Sequence, residues 1–91
     1  MRKRLEYKIV GRVQMVLFRG FVEKNARALG IVGTVENQDD GSVFVVAEGE
    51  EERLIQMLSL LRKGPPLAIV EHTEEVWSKP SDEFSDFRII Y

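Results

Sequence analysis

The 91-residue sequence predicts an α+β fold, in which an antiparallel sheet carries two helices on one face and the elements follow the order βαββαβ. Three observations predict it. The first segment alternates apolar and polar residues, the next has the apolar spacing of a helix, and this change of period recurs in the second half of the chain. The length suits a single domain, so we expect residues 1–91 to form one.

The first half of the chain contains a strand, a helix and two further strands. Apolar residues alternate over 5–13, as they do in a strand with one buried face. From Phe18 they recur at helical spacing until Gly30, a residue type that commonly ends helices. The segments 31–38 and 42–48 alternate again, and the Asp-Asp-Gly turn between them indicates a hairpin.

The second half contains a helix and two strands. Leucines lie on one face of the segment 50–63, which begins with three glutamates and ends with a basic pair, as the helix dipole favours. Gly64 and the two prolines after it end this helix. The segment 67–77 predicts a fourth strand with a polar middle, and alternation over 87–91 predicts a short extra strand at the C-terminus. The full pattern is that of the ferredoxin-like α/β sandwich.

The loop after the first strand is the most informative stretch, because it joins a strand to the start of a helix. A helix N-terminus presents consecutive free backbone N–H groups that bind anions, and Arg19 adds a forked cation that suits phosphate oxygens. The predicted topology makes the first and second strands parallel with the third between them, so Asn37 faces this loop across about 10 Å. A phosphate site between them is one interpretation, and a plain connection with a solvated arginine is the other.

The composition narrows the possible chemistry. The chain has no cysteine, which excludes disulfides and a thiolate nucleophile, and its one histidine, His72, excludes a histidine-rich metal site. A net charge of −2 argues against a nucleic-acid-binding domain, although the beginning of the sequence is basic. There is no apolar run long enough for a membrane span, and no apolar secretory segment follows the basic N-terminus, so we expect a cytoplasmic protein.

The sequence resembles the acylphosphatase family over essentially its whole length. The run Gly11-Arg12-Val13-Gln14, followed by Val16 and by Phe18-Arg19, is similar to the phosphate loop of that family. Other matching positions are Asn37, Asp40-Gly41-Ser42-Val43, Glu48-Gly49 and Gly64-Pro65-Pro66. On this resemblance, residues 1–91 form one acylphosphatase-like domain.

The resemblance implies hydrolysis of the carboxyl–phosphate bond of an acyl phosphate to a carboxylate and inorganic phosphate, with no metal and no cofactor. It implies that Arg19 and the backbone N–H groups of the loop bind the phosphoryl group, and that Asn37 orients the attacking water. The residues of this phosphate-binding loop are Gln14, Met15, Val16, Leu17, Phe18 and Arg19. We expect a monomer that acts on small molecules and binds neither nucleic acid nor membranes.

Met15 departs from the family pattern, which has glycine at this position. A positive φ here costs methionine roughly 1–2 kcal/mol that it does not cost glycine. We expect instead that φ stays negative and that Met15 packs over the rim of the site. Two alternatives stay open: a module that binds phosphate or a small metabolite with weak or no turnover, and an RNA-binding module of the same fold.

Overall fold

The computed structural model describes residues 1–91 and contains all seven predicted elements. Neither helix is long and apolar enough to cross a membrane. The elements are β1 (Arg2–Arg12), α1 (Phe18–Ala28), β2 (Val32–Asn37), β3 (Val43–Glu50), α2 (Glu51–Lys63), β4 (Ile69–Ser78) and β5 (Phe87–Ile90).

Strand β1 begins three residues before the predicted strand. Arg2 lies opposite Glu50, and Arg4 lies opposite Glu48, in the antiparallel ladder with β3. Residues 2–4 are all basic and show no apolar alternation, so the sequence pattern does not predict that they belong to the strand. Each pair of opposite charges on neighbouring strands contributes roughly 0.2–1 kcal/mol to stability. The backbone hydrogen bonds with β3 also extend the strand.

The sheet has the strand order β4-β1-β3-β2-β5. Because β3 is antiparallel to both β1 and β2, those two strands are parallel to each other, as the sequence predicts. Strand β5, the short extra strand, pairs in parallel with β2, so the otherwise antiparallel sheet is mixed. The cause is the connection over 79–86, which carries the chain from β4 at one edge to β5 at the opposite edge.

The hydrophobic core lies between one face of the sheet and the two helices. Leu5, Tyr7 and Ile9 of β1 are fully buried, and the residues between them on the other face are partly exposed. Val22 of α1 and Leu58 of α2 belong to the same cluster of 18 buried residues. Each buried large apolar side chain contributes roughly 1.5–3 kcal/mol, so this cluster outweighs the surface ion pairs in holding the fold.

Three strands stop at the same end of the sheet. Strands β1, β2 and β5 run in the same direction, so their carboxyl termini lie together at this end. The loop 13–17 leaves β1 there and leads into α1. Asn37 ends β2, and Tyr91 follows β5. The topology therefore gathers residues that are far apart in the sequence.

Candidate active site

The loop between β1 and α1 has an unusual backbone. Met15 has φ 61° and Leu17 has φ 66°, and both are left-handed values that residues with side chains seldom adopt. A backbone that enters the left-handed region at alternate residues turns successive N–H groups toward a common point and forms a concave anion nest. Helix α1 begins directly after Leu17, and no side chain caps its free N–H groups. The loop and the helix terminus thus form a surface of hydrogen-bond donors suited to an anion.

Core packing and one side-chain amide hold this loop in place. Val16 and Phe18 are buried in the core. Gln14 donates from Nε2 to the backbone oxygens of Gln38 at 2.8 Å and Ser42 at 2.9 Å. The side chain of Gln14 therefore joins the loop to the β2–β3 turn and does not line the candidate site.

The β2–β3 turn is itself fixed by a carboxylate. Asp40 accepts hydrogen bonds from the hydroxyl of Ser42 at 2.6 Å and from its backbone N–H at 3.0 Å, and it pairs with Nζ of Lys8 at 2.9 Å. The hydrogen bonds from Ser42 and the ion pair with Lys8 hold the pKa of Asp40 well below its usual value. The carboxylate is therefore charged at neutral pH and keeps the anchor of Gln14 ordered.

A cavity of about 350 Å³ opens between this loop and the ends of β2 and β5. It brings together Arg19 and Asn37, which are 18 positions apart in the sequence. Besides Arg19, it includes three further residues of the predicted loop, Met15, Leu17 and Phe18. Gln14 and Val16 are not part of its lining. The full lining is Val13, Met15, Leu17, Phe18, Arg19, Gly20, Asn37, Ile89 and Tyr91.

Arg19 is half-buried at the cavity and stacks on an aromatic ring. Its guanidinium carbon lies 5.0 Å from the centroid of the Tyr91 ring. A cation over a ring at this distance is stabilised by roughly 0.5–1 kcal/mol at an exposed site, which limits the conformations of the guanidinium without neutralising its charge. No carboxylate forms an ion pair with Arg19. The positive charge of Arg19 is therefore available to an anion in the cavity.

Asn37 lines the same cavity and has an unpaired acceptor in its side chain. Its Oδ1 atom is buried and has no hydrogen-bond partner in the chain. A buried polar atom without a partner costs about 1–3 kcal/mol, so few such atoms occur in folded proteins. Asn37 thus brings a side-chain amide with an unused acceptor to the wall of the cavity.

Two findings differ from, or add to, the sequence analysis. The expected negative φ at Met15 is wrong: φ is positive, and the side chain extends into solvent and does not pack over the rim. Ile89 and Tyr91 line the cavity and were not among the predicted site residues. Alternation over 87–91 puts them on one face, but only the pairing of β5 with β2 brings that face to the cavity.

Comparison with known proteins identifies the family. The model of the family described as Acylphosphatase matches residues 5–89. The chain belongs to the acylphosphatase family. It is 41% identical over 87 residues to the acylphosphatase of Salinibacter ruber, with 96% of this chain and 92% of that protein covered. It is 45% identical over 84 residues to the acylphosphatase of Methanococcoides burtonii, covering 92% of this chain and 88% of that protein.

A solved acylphosphatase has the same fold. The crystal structure of acylphosphatase from Bacillus subtilis superposes with a TM-score of 0.94 at 32% identity, covering 98% of this chain and 99% of that one. The ferredoxin-like α+β prediction is therefore confirmed. The relatives of nearly equal length are acylphosphatases by name, which confirms the prediction of an acylphosphatase enzyme over that of a binding module.

Proposed function

We propose that this acylphosphatase hydrolyses the carboxyl–phosphate bond of small acyl phosphates with Arg19, the loop N–H groups and Asn37 as its machinery. In the reaction, the oxygen of water forms a bond to phosphorus. The bond from phosphorus to the acyl oxygen breaks, and its electron pair leaves on the carboxylate. The observation that carries this proposal is the meeting of Arg19 and Asn37 in one cavity beside the start of α1.

The phosphoryl group would be bound by the loop and by Arg19. The N–H groups from Met15 to Arg19 supply fixed donors, and their orientation is supported by the left-handed backbone at two of the loop residues. Arg19 supplies two parallel donors and a permanent positive charge. Together they stabilise the charge that spreads over the equatorial phosphoryl oxygens in the transition state.

Asn37 would position the attacking water. In the complex the side chain of Asn37 would turn Oδ1, which has no partner within the chain, toward the cavity. There Oδ1 accepts a hydrogen bond from the water and directs a lone pair of the water oxygen toward phosphorus. An amide is too weak a base to remove the proton, so the proton passes to a phosphoryl oxygen of the substrate.

The cavity is suited to a reaction without a strong general acid or base. Its nine lining residues include no aspartate, glutamate, histidine or cysteine. A carboxylate is a good leaving group and needs no proton to depart. Positioning and electrostatic stabilisation can therefore supply most of the rate enhancement, as they do in other phosphoryl transfers.

We propose that the enzyme is a monomer that acts on small molecules. The cavity volume suits a small acyl phosphate and its phosphate product. The net charge of −2 is unfavourable for nucleic-acid binding. Light scattering tests the monomer, and a salt-sensitive shift of the protein by RNA would contradict the last point. The cytoplasmic location stays a prediction.

The central experiment measures steady-state hydrolysis of benzoyl phosphate, with a chelator present, by the wild type and by Arg19→Ala and Asn37→Ala. We expect kcat/KM to fall by about 10³-fold or more in Arg19→Ala, because both binding and transition-state charge depend on the guanidinium. In Asn37→Ala we expect kcat to fall by roughly 10²- to 10³-fold with a smaller change in KM.

Arg12→Ala serves as the matched control, since Arg12 is exposed, lies close in sequence and does not line the cavity. We expect it to keep kcat/KM within about twofold of the wild type. Normal turnover in Asn37→Ala would contradict the water-positioning role. If the wild type binds phosphate but does not hydrolyse benzoyl phosphate, a phosphate-binding module explains the chain better than an enzyme does.

A further inference from the structure

Three large apolar side chains are exposed around the cavity. Met15 is 98% exposed, Leu17 is 82% exposed and Tyr91 is 94% exposed, and all three contribute to the cavity that contains Arg19. Single exposed apolar residues are common on protein surfaces and need no explanation. Three exposed apolar side chains around one cavity form an apolar surface at the site. Binding of the phosphoryl group does not use these side chains.

The backbone of the loop keeps two of these side chains outward. The left-handed residues Met15 and Leu17 alternate with Val16 and Phe18, whose side chains are buried in the core. Turning Met15 or Leu17 inward would displace the buried pair and lose its apolar contacts. The backbone conformation that presents the loop N–H groups therefore also keeps both side chains exposed. The strained residues of the loop lie at this site.

The charge around the cavity limits the substrates that it can accept. Arg19 is the only charged side chain among the nine lining residues, and six of the nine are hydrophobic. When Arg19 binds the phosphoryl group, an acyl group with a carboxylate of its own meets no second cation. An apolar acyl group instead meets the side chains of Met15, Leu17 and Tyr91, and removes part of their surface from water.

We infer that Met15, Leu17 and Tyr91 form an apolar rim that selects acyl phosphates with an apolar or aromatic acyl group over those with a small or charged one. The inference rests on the proposed function, because it assigns the phosphoryl group to Arg19 and the loop. The rim contacts the acyl group equally in the ground state and in the transition state. Its contribution therefore lies in KM, with kcat little affected.

The test compares kcat/KM for benzoyl phosphate with kcat/KM for acetyl phosphate in the wild type and in Met15→Asn and Leu17→Asn. Asparagine tolerates a left-handed backbone, so both variants keep the loop conformation while removing the apolar surface. The ratio of the two constants cancels any effect on the binding of the phosphoryl group, which the substrates share. We expect each variant to lower the benzoyl-to-acetyl ratio by about 3- to 10-fold, mainly through KM for benzoyl phosphate.

Two further variants separate rim contacts from general effects of substitution. Met15→Leu keeps an apolar side chain at the rim, and we expect it to retain the wild-type ratio. Leu67→Asn removes an exposed apolar side chain that does not line the cavity, and we expect both constants to stay unchanged. A benzoyl-to-acetyl ratio that stays within about twofold of the wild type in both Met15→Asn and Leu17→Asn would overturn the inference.

The failure of the proposed function has a different signature. If the wild type hydrolyses neither acyl phosphate, the proposed function fails, and calorimetric binding of benzoylphosphonate and acetylphosphonate then tests the rim alone. Tighter binding of the benzoyl compound, with the preference lost in Met15→Asn, would support the rim. Equal binding of the two compounds by the wild type would overturn it.

Discussion

At the scale of single residues, the loop contains local strain that the rest of the fold maintains. A left-handed backbone costs a residue with a side chain about 1–2 kcal/mol, and Met15 and Leu17 both have it. The neighbouring burial of Val16 and Phe18 holds the loop in this conformation. The same geometry turns the N–H groups inward and the apolar side chains outward. One conformation thus serves both phosphate binding and the proposed rim.

We predict that Met15→Gly raises the free energy of unfolding by about 0.5–1 kcal/mol. Glycine removes the cost of the left-handed backbone, and part of that gain is lost because glycine has more conformational freedom in the unfolded chain. Urea unfolding of the variant and the wild type measures the difference.

Leu67→Gly is the control for this prediction. Leu67 is also exposed, but its φ is not positive, so glycine brings no relief of strain there. We expect this variant to be less stable than the wild type by roughly 0.5–1 kcal/mol. If both glycine variants are destabilised to the same extent, the left-handed backbone of Met15 carries no appreciable strain.

At the scale of elements, the site depends on the link between the β1–α1 loop and the β2–β3 hairpin. Gln14 makes this link through the backbone oxygens of Gln38 and Ser42. Asn37 is the last residue of β2 and lies directly before the turn that accepts these bonds. Together with the burial of Val16 and Phe18, this amide fixes the distance between the start of α1, which carries Arg19, and the strand that carries Asn37.

We predict that Gln14→Ala lowers the free energy of unfolding by about 1–2 kcal/mol and raises KM for benzoyl phosphate several-fold. Two hydrogen bonds are lost, each with a net value near 1 kcal/mol, and the loop loses its attachment to the hairpin. Urea unfolding and steady-state kinetics measure the two effects. Gln56→Ala, at an exposed position of α2, should stay within about 0.5 kcal/mol of the wild type with unchanged KM. An unchanged KM in Gln14→Ala would show that the loop keeps its position without this link.

At the scale of the whole molecule, a buried carboxylate holds the connection that carries the chain across the sheet. Glu48 of β3 is fully buried. It accepts hydrogen bonds from the backbone N–H of Ser81 at 2.8 Å, from the backbone N–H of Asp82 at 3.0 Å and from Nη1 of Arg4 at 2.9 Å. Burial raises the pKa of Glu48, but these hydrogen bonds outweigh it and lower the pKa from 4.5 to about 2. This contact fixes the connection that delivers β5, and with it Tyr91, to the edge of the site.

The lowered pKa of Glu48 predicts a pH-dependent contribution to stability. Because the pKa is lower in the folded state, the contribution is complete above the unfolded value and is lost as the pH falls toward 2. We predict that the difference in unfolding free energy between the wild type and Glu48→Gln shrinks by on the order of 3 kcal/mol between pH 7 and pH 2. Urea unfolding across this range measures it.

The exposed Glu51→Gln is the matched control for the pH series, and its difference from the wild type should stay small at every pH. Other carboxylates titrate equally in both proteins, so the comparison isolates Glu48. A difference between wild type and Glu48→Gln that does not change with pH would mean that the contacts of Glu48 do not depend on its charge.

Residue spacing predicts the seven elements and their order, and it places Arg19 and Asn37 in one candidate site. Strand and helix periods follow from side-chain spacing alone, and the βαβ order dictates that β1 and β2 are parallel. The order of the elements therefore predicts that Arg19 and Asn37 lie at the same end of the sheet. A motif that joins a strand to a helix N-terminus implies an anion site for the same local reason.

Other features depend on contacts between segments that are distant in the sequence, and residue spacing does not predict them. The left-handed φ of Met15 follows from the packing of its neighbours, and the role of Gln14 follows from a turn 24 residues later. The parallel pairing of β5 with β2, and the stacking of Tyr91 with Arg19, follow from a connection that crosses the sheet. Local periodicity reports which face of an element is buried. It does not report which distant element covers that face, because that choice is made by the packing energy of the whole chain.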